Sequence, residues 1–170
     1  MDSRIQAILF DMVDRGDPAG IGAILKEGDD LNFTNASGLT LLHVATEHKN
    51  RELVKLLLEY GANPNTEDAS GSTVLDTAAI KGQPGIVGLL LDYYADPNIA
   101  DRNGRTPLHS AINSGDEATV KILLEAGANI ESMNNGGWTP LHIAIFLKKE
   151  EAVKLLIKHG INIKSKDADG

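Results

Sequence analysis

The feature that most constrains the fold is a sequence pattern that returns every 33 residues. The segments GLTLLHVA, GSTVLDTA, GRTPLHSA and GWTPLHIA begin at Gly38, Gly71, Gly104 and Gly137. A second series, LLLEYGANPN, LLLDYYADPN, ILLEAGANIE and LLIKHGINIK, begins at Leu56, Leu89, Ile122 and Leu155 with the same interval. Two series that share one period indicate an array of similar units, each packed on its neighbours.

The array divides most naturally at the Asn or Asp that lies three residues before each of these glycines. This division predicts one domain over residues 1–170, with an N-terminal capping unit at 1–34 and four repeats at 35–67, 68–100, 101–133 and 134–166. Residues 167–170 begin a further, truncated repeat. The capping unit contains a degenerate copy of the second series, AILKEGDDLN, 33 residues before Leu56. The four repeats are called units one to four below.

Each unit has the same order of local signals. The Asn or Asp and the Gly favour a tight turn, and the Thr after the Gly is a typical helix N-cap, followed by Pro at the first helical position. In unit three this predicts a first helix at about 107–114 and a second helix capped by Asp116. The second helix should end at the left-handed glycine of Gly61, Gly127 or Gly160.

Composition narrows the class of protein. The chain has 170 residues, 42% of them hydrophobic, no cysteine and a net charge of −8 without a block of Lys or Arg. This excludes disulfides and thiolate metal sites, and it disfavours nucleic acid, whose phosphates require clustered basic residues. We find no signal-peptide pattern and no apolar run long enough to insert into a membrane. We therefore expect a cytoplasmic protein, with the nucleus or a host-cell cytosol as alternatives.

These repeats resemble the ankyrin repeat family, which has a 33-residue period and a Thr-Pro-Leu-His motif. The resemblance covers essentially the whole chain. It implies an all-α repeat solenoid in which each unit has a β-turn or hairpin and two antiparallel helices.

The resemblance assigns a structural role to the tetrapeptide. Leu42, Leu75, Leu108 and Leu141 should then pack inward, and His43, His109 and His142 should bond the Thr hydroxyl and neighbouring backbone. The alternative is a metal or catalytic histidine, but successive histidines lie about 10 Å apart, too far to share one ion. The series Asp11, Asp14 and Asp17 suggests either a cation site or exposed helix surface with an N-cap. No catalytic motif is present, and we expect no enzyme activity, cofactor or metal.

The resemblance also implies the function, which is non-catalytic binding of a protein partner, as in a scaffold or adaptor. The alternative is a recognition arm of a longer protein whose activity lies outside these residues. Ankyrin repeats bind through the turn tips, the residue before the Thr and the end of the first helix. The candidate partner-binding residues at these places are Leu39, His48, Ile80, Lys81, Arg102, Arg105, Asn113, Trp138, Phe146 and Leu147.

Unit four is the most distinctive of these surfaces. Trp138, Phe146 and Leu147 form an apolar group, and Arg102 and Arg105 lie one unit away. Because interface hot spots favour Trp and Arg, we expect an apolar anchor beside an arginine contact to an acidic group. The alternatives are that Trp138 packs on its own corner and Phe146 on a further unit. We expect a monomer unless the exposed C-terminal unit self-associates.

The sequence of unit two departs from the repeat pattern at two positions. Unit two has Asp76 in place of the histidine and Tyr94 in place of the terminal glycine, so we expect it to be the weakest internal unit. Asn98, with Leu90 and Asp96 before it, resembles the position that an oxygenase hydroxylates in animal ankyrin repeats, and its modification stays a hypothesis.

Overall fold

The computed structural model describes residues 2–162, and within this range the chain forms ten helices. They are α1 (Ser3–Arg15), α2 (Pro18–Ile24), α3 (Leu41–Glu47), α4 (Arg51–Glu59), α5 (Val74–Ile80), α6 (Pro84–Asp92), α7 (Pro107–Ser114), α8 (Glu117–Glu125), α9 (Pro140–Phe146) and α10 (Glu150–Lys158). The helices come in five pairs, one for the capping unit and one for each repeat. The all-α repeat solenoid is confirmed. The end of unit four after residue 162 and the predicted start of a further repeat lie outside the described range.

The first helix of every repeat begins at the predicted threonine. Thr40, Thr73, Thr106 and Thr139 are the N-caps of α3, α5, α7 and α9. In α3, α7 and α9 the third helical residue is a histidine whose ring bonds back to the cap, which makes a capping box. Pro107 and Pro140 occupy the first helical turn, as predicted.

The second helices begin with side-chain caps in three of the five pairs. Asp17, Asn50 and Asp116 accept hydrogen bonds from backbone N–H groups in the first turns of α2, α4 and α8. Gln83 and Lys149 precede α6 and α10 without such a bond. The predicted caps are thus confirmed, including the placement of Asp17 at a helix start beside the exposed Asp11 and Asp14.

Each repeat opens with a turn closed by its Asn or Asp side chain. The Asn35 Oδ1 atom accepts from the N–H of Ser37 at 2.9 Å and of Leu39 at 3.1 Å. Asp68, Asp101 and Asn134 repeat this pair of bonds. The turn chemistry therefore fixes the chain direction at the entrance of each first helix.

The core runs the length of the array. Leu42, Leu75, Leu108 and Leu141 are buried in it, and each first helix packs on the first helix of the next unit. The second helices form an outer layer with the same order of contacts. None of the helices in residues 2–162 is both long and apolar enough to cross a membrane.

Unit two contains several irregular features, although Lys49 in unit one and Lys148 in unit four also have left-handed φ values of 57° and 55°. Tyr94 has a φ of 64°, in the left-handed region where the equivalent Gly61 and Gly127 have 89° and 85°. The helix α6 contains Gly85 and Gly88 and has no side-chain cap, although the Gln83 amide donates to the Thr46 carbonyl oxygen at 3.1 Å. Left-handed backbone disfavours residues with a Cβ, so Tyr94 stores strain.

Replacing Tyr94 with glycine should stabilise the protein. The side chain is exposed, so little packing is lost while the strain of roughly 1 kcal/mol is removed. Chemical denaturation of the Tyr94→Gly variant should show that gain in the free energy of unfolding. The matched change Tyr93→Gly, at a residue whose φ is −100°, should destabilise instead. Equal effects of the two changes would contradict the strain argument.

Unit two should also exchange its amide hydrogens faster than units one and three. Helix α6 has glycines and no cap, and the corner of this unit lacks the histidine bonds. Hydrogen exchange followed by mass spectrometry gives the protection of each helix. Faster exchange in unit one or unit three would refute the expectation.

Candidate functional site

The histidines of the tetrapeptide connect neighbouring units. The His43 Nδ1 atom lies 2.8 Å from the Thr40 Oγ1 atom, and its Nε2 atom lies 3.3 Å from the Ser72 carbonyl oxygen in the next unit. His109 makes the same two contacts, with Thr106 at 2.9 Å and the Trp138 carbonyl oxygen at 3.1 Å. The histidine role implied by the family resemblance matches this geometry.

The hydrogen bonds also fix the protonation of these rings. A backbone N–H donates to Nδ1 of His43, of His109 and of His142. A ring nitrogen that accepts a hydrogen bond carries no proton, so the neutral ring has its proton on Nε2. In His43 and His109 this Nε2–H donates to the carbonyl oxygen of the next unit. Burial lowers the pKa of His43 and His109, which keeps them neutral.

These hydrogen bonds leave no ring nitrogen of His43 or His109 available for a ligand or a substrate. Both ring nitrogens are engaged in bonds to the protein's own backbone and threonines. In residues 2–162 no cluster of three or more His, Asp or Glu side chains could hold a metal ion. The tetrapeptide is therefore a structural corner, and the candidate functional surface lies elsewhere.

In unit two, Asp76 takes the place of the histidine and is almost fully buried. Neither carboxylate oxygen has a partner in hydrogen-bonding geometry among the described residues. Burial raises the pKa of Asp76, and the Ser110 and Ser72 hydroxyls offset part of that rise. Asp101 raises it further and Arg105 lowers it. The unit thus loses the histidine connection and gains a buried carboxyl group.

Unit four carries an aromatic pair on the surface. The ring centroids of Trp138 and Phe146 lie 5.1 Å apart with an interplanar angle of 75°, an edge-to-face contact. Phe146 is the last residue of α9 and is 68% exposed, while Trp138 is half-buried. The structure therefore brings together two of the predicted partner-binding residues, with the half-buried Leu147 directly after them.

The Trp138 backbone is held by its own corner and by the preceding unit. Its backbone N–H donates to the Asn134 Oδ1 atom at 3.0 Å, and its carbonyl oxygen lies 3.1 Å from the His109 Nε2 atom. Because the Trp138 backbone is fixed and Phe146 is largely exposed, the aromatic pair is a partly preorganised apolar surface open to solvent.

The equivalent positions in the other units are exposed but chemically different. The first helices of units two and four end at Ile80 and Phe146, and Asn113 is the last residue but one of α7 in unit three. All three side chains are exposed. Lys81 follows Ile80 and is also exposed, whereas Leu39 is half-buried against the core. The surface formed by these helix ends is therefore apolar in units two and four and polar in unit three.

The two predicted arginines have different environments. Two N–H groups of Arg105 bond the Asp101 Oδ2 atom at 2.9 and 2.7 Å. Burial raises the pKa of Asp101, but the hydrogen bonds from Arg105 and Asn103 outweigh this and lower it. Arg105 is thus held by its own turn, a contact that sequence reasoning missed, although the four-residue spacing at a turn was a usable signal.

Arg102 projects from the turn tip. Its backbone N–H donates to the Ser70 carbonyl oxygen at 3.1 Å, and its carbonyl oxygen accepts from the Asn135 side chain at 2.9 Å. Both neighbouring turns therefore fix the backbone of an exposed arginine. Arg102 is the better placed of the two to meet an acidic group on a partner.

His48 lies in an ion-pair position with the capping unit. Its Nε2 atom is 3.2 Å from the Asp14 Oδ1 atom, and both side chains are about half exposed. A contact of this exposure contributes little to stability. The N-terminal end of the surface therefore presents a carboxylate and an imidazole, whereas unit four presents aromatic rings.

Asn98 links units two and three. Its Oδ1 atom accepts from the Asn129 N–H at 2.6 Å, and its Nδ2 atom donates to the Gly127 carbonyl oxygen at 3.4 Å. Asn65 makes the same bonds one unit earlier, to Asp96 and Tyr94. A modifying oxygenase would have to open this connection, and hydroxylation of Asn98 stays a prediction.

The geometry defines a class of protein, a solenoid of paired helices whose units are tied by corner histidines and loop asparagines. A family model described as ankyrin repeats, in three copies, matches residues 9–101 and 95–167. The chain belongs to the ankyrin repeat family. None of the curated proteins matches it.

Asp76→His should stabilise the protein, because it restores the corner that units one, three and four have. The change removes an unsatisfied buried carboxylate, whose cost is about 1–3 kcal/mol. Urea unfolding at neutral pH should show most of that gain. The reverse change, His109→Asp, should destabilise the protein by a similar amount.

The pH dependence of stability distinguishes the cost of the Asp76 charge from the cost of its missing hydrogen bonds. The pKa of Asp76 is raised in the folded protein. The free energy of unfolding is therefore highest below the ordinary carboxyl pKa, and it falls as the pH rises through the folded pKa. The stability advantage of Asp76→Asn over the wild type should therefore grow with pH across that window. A difference independent of pH would show that the carboxyl titration does not govern stability.

Proposed function

We propose that this chain is a protein-binding module whose partner anchors an apolar group on the Trp138 and Phe146 pair. Ankyrin repeats are generally protein–protein interaction modules, and their domains are typically non-catalytic. The observation that carries the proposal is the exposed edge-to-face pair at 5.1 Å, at positions where unit three has Arg105 and Asn113.

The physical argument rests on desolvation. An exposed phenylalanine face gains most when a partner covers it, and aromatic anchors lose little side-chain entropy on binding. The Trp138 ring already contacts Phe146, and the Trp138 backbone is fixed by its corner, so binding orders few additional groups. The aromatic pair therefore offers more binding energy than the polar position at Asn113.

The proposal also specifies the chemistry of the partner. Arg102 extends from the turn tip of the adjacent unit, and its guanidinium matches a carboxylate. Ile80 supplies a second exposed apolar position two units from Phe146. The fitting partner is a protein segment with an apolar side chain for the aromatic pair and an acidic residue towards Arg102.

A photo-crosslinking amino acid tests the proposal directly. We would place p-benzoylphenylalanine at position 146 and, as a matched control, at the exposed position of Met133. Irradiation in lysate of the source cells should capture one protein at 146 and not at 133. The same capture at both positions, or none at 146, would count against this anchor.

The affinity of the captured protein for variants at position 146 then measures how much Phe146 contributes to binding. Phe146→Asn introduces the residue that unit three has at the equivalent position, so the fold is preserved. We expect binding to weaken at least ~30-fold, which is about 2 kcal/mol, while Met133→Asn leaves it unchanged. Calorimetric titration gives the dissociation constants, and melting curves verify that both variants are folded. Equal affinity of Phe146→Asn and wild type would move the site to another unit.

A further inference from the structure

One row of equivalent residues stays exposed along the array. Its members lie at the end of the first helices, 33 residues apart, and are Glu47, Ile80, Asn113 and Phe146. All four side chains are exposed. Glu47, Ile80 and Asn113 remain so although a neighbouring unit packs on both sides of α3, α5 and α7. The stacking of units therefore leaves this row open to solvent, and we call it the helix-end row.

The chemistry of the helix-end row alternates from unit to unit. Ile80 is 48% exposed and Phe146 is 68% exposed, and the polar Asn113 lies between them. An amphipathic helix binds by burying a continuous apolar stripe. Such a stripe laid along this row would cover the amide of Asn113 and the carboxylate of Glu47. The row instead fits a partner segment that makes one separate side-chain contact with each unit.

The spacing of the units indicates the conformation of that segment. The helices α5, α7 and α9 pack one on the next, and packed helices lie about 8–10 Å apart. A polyproline II helix has three residues per turn and rises about 3.1 Å per residue, so one of its faces presents a side chain about every 9.3 Å. This interval falls within the spacing of the helix-end row.

We propose that the partner binds through a polyproline II segment that lies along the helix-end row with one side chain on each unit. This inference rests on the proposed function, because its first contact is the apolar side chain anchored on Phe146 and Trp138. About three residues away a side chain meets Asn113, and about six residues away a second apolar side chain meets Ile80. Such a segment has no internal hydrogen bonds and is preformed, so it loses little entropy on binding.

The charges beside the row define the polar residues of the segment. Glu47, Lys81 and Arg102 are exposed, and none of the ion pairs within residues 2–162 involves them. Lys81 directly follows Ile80, and Arg102 lies at the turn tip of unit three, so acidic residues fit between and beside the two apolar contacts. A basic residue fits at Glu47, about nine residues from the first contact.

Crosslinking at two positions of the row measures the spacing on the partner. We would place p-benzoylphenylalanine separately at positions 80 and 146, with position 133 as the control, and map the attached partner residues by mass spectrometry of the digested products. The protein captured at 146 should also be captured at 80, with attachment sites about six residues apart. An interval of about 14 residues would show an α-helical segment instead. Sites distant in the partner sequence would show a folded surface.

Either of those two results, or capture at 146 without capture at 80, would overturn the inference and leave the proposed function standing. No capture at 146 would remove the proposed function and this inference with it. The two failures are therefore distinguishable in one experiment.

A synthetic peptide that spans both attachment sites tests the register. One residue inserted between its two apolar residues rotates the second away from Ile80 by about 120°. We expect the insertion to weaken binding to the wild type at least ~10-fold by fluorescence anisotropy. On Ile80→Asn, which carries the residue of unit three at this exposed position, the two peptides should bind equally. Equal binding of both peptides to the wild type would refute a fixed register. Met133→Asn should behave as the wild type does.

Discussion

The structure depends on the covering of each unit's apolar side chains by the next unit. The repeat helices have seven to nine residues, well below the length at which an isolated helix is stable in water. A leucine such as Leu75 is fully buried only because helices on both sides cover it. Stability is therefore a property of adjacent pairs of units, and a defect in one unit weakens both of its contacts.

Polar bonds make those contacts specific. The histidine of one corner reaches a carbonyl oxygen 29 residues later, and Asn32, Asn65 and Asn98 each accept from a backbone N–H 31 residues later. In unit three Glu131 takes the place of the asparagine and accepts from the backbone N–H of Asn162 in unit four. These side chains satisfy backbone groups between units that the helices themselves leave free. They set the register of stacking, which apolar contacts alone leave loose.

The sequence alone predicted the helices, turns and caps, but it did not predict the side-chain contacts on the surface. Caps, turns and helix limits follow from local chemistry, so the predicted Thr106 cap and the helix at 107–114 are confirmed. The contact between Asp101 and Arg105 depends on side-chain geometry within a turn. The edge-to-face packing of Trp138 on Phe146 likewise depends on rotamers that periodicity does not encode. The exposure of Ile145 itself was not predicted, because the period makes it equivalent to the buried Ile112.

Neighbouring residues at the end of each first helix point in different directions. Successive side chains on a helix diverge by about 100°, so Ile145 faces along the array while Phe146 faces across it beside Trp138. Stacking restricts the residue types at the first kind of position, and units one to three accordingly have Thr46, Ala79 and Ile112 buried there. It leaves the second kind unrestricted, where Glu47, Ile80 and Asn113 differ in chemistry. Residues at the second kind of position can therefore vary to suit a partner while the stacking of units is kept.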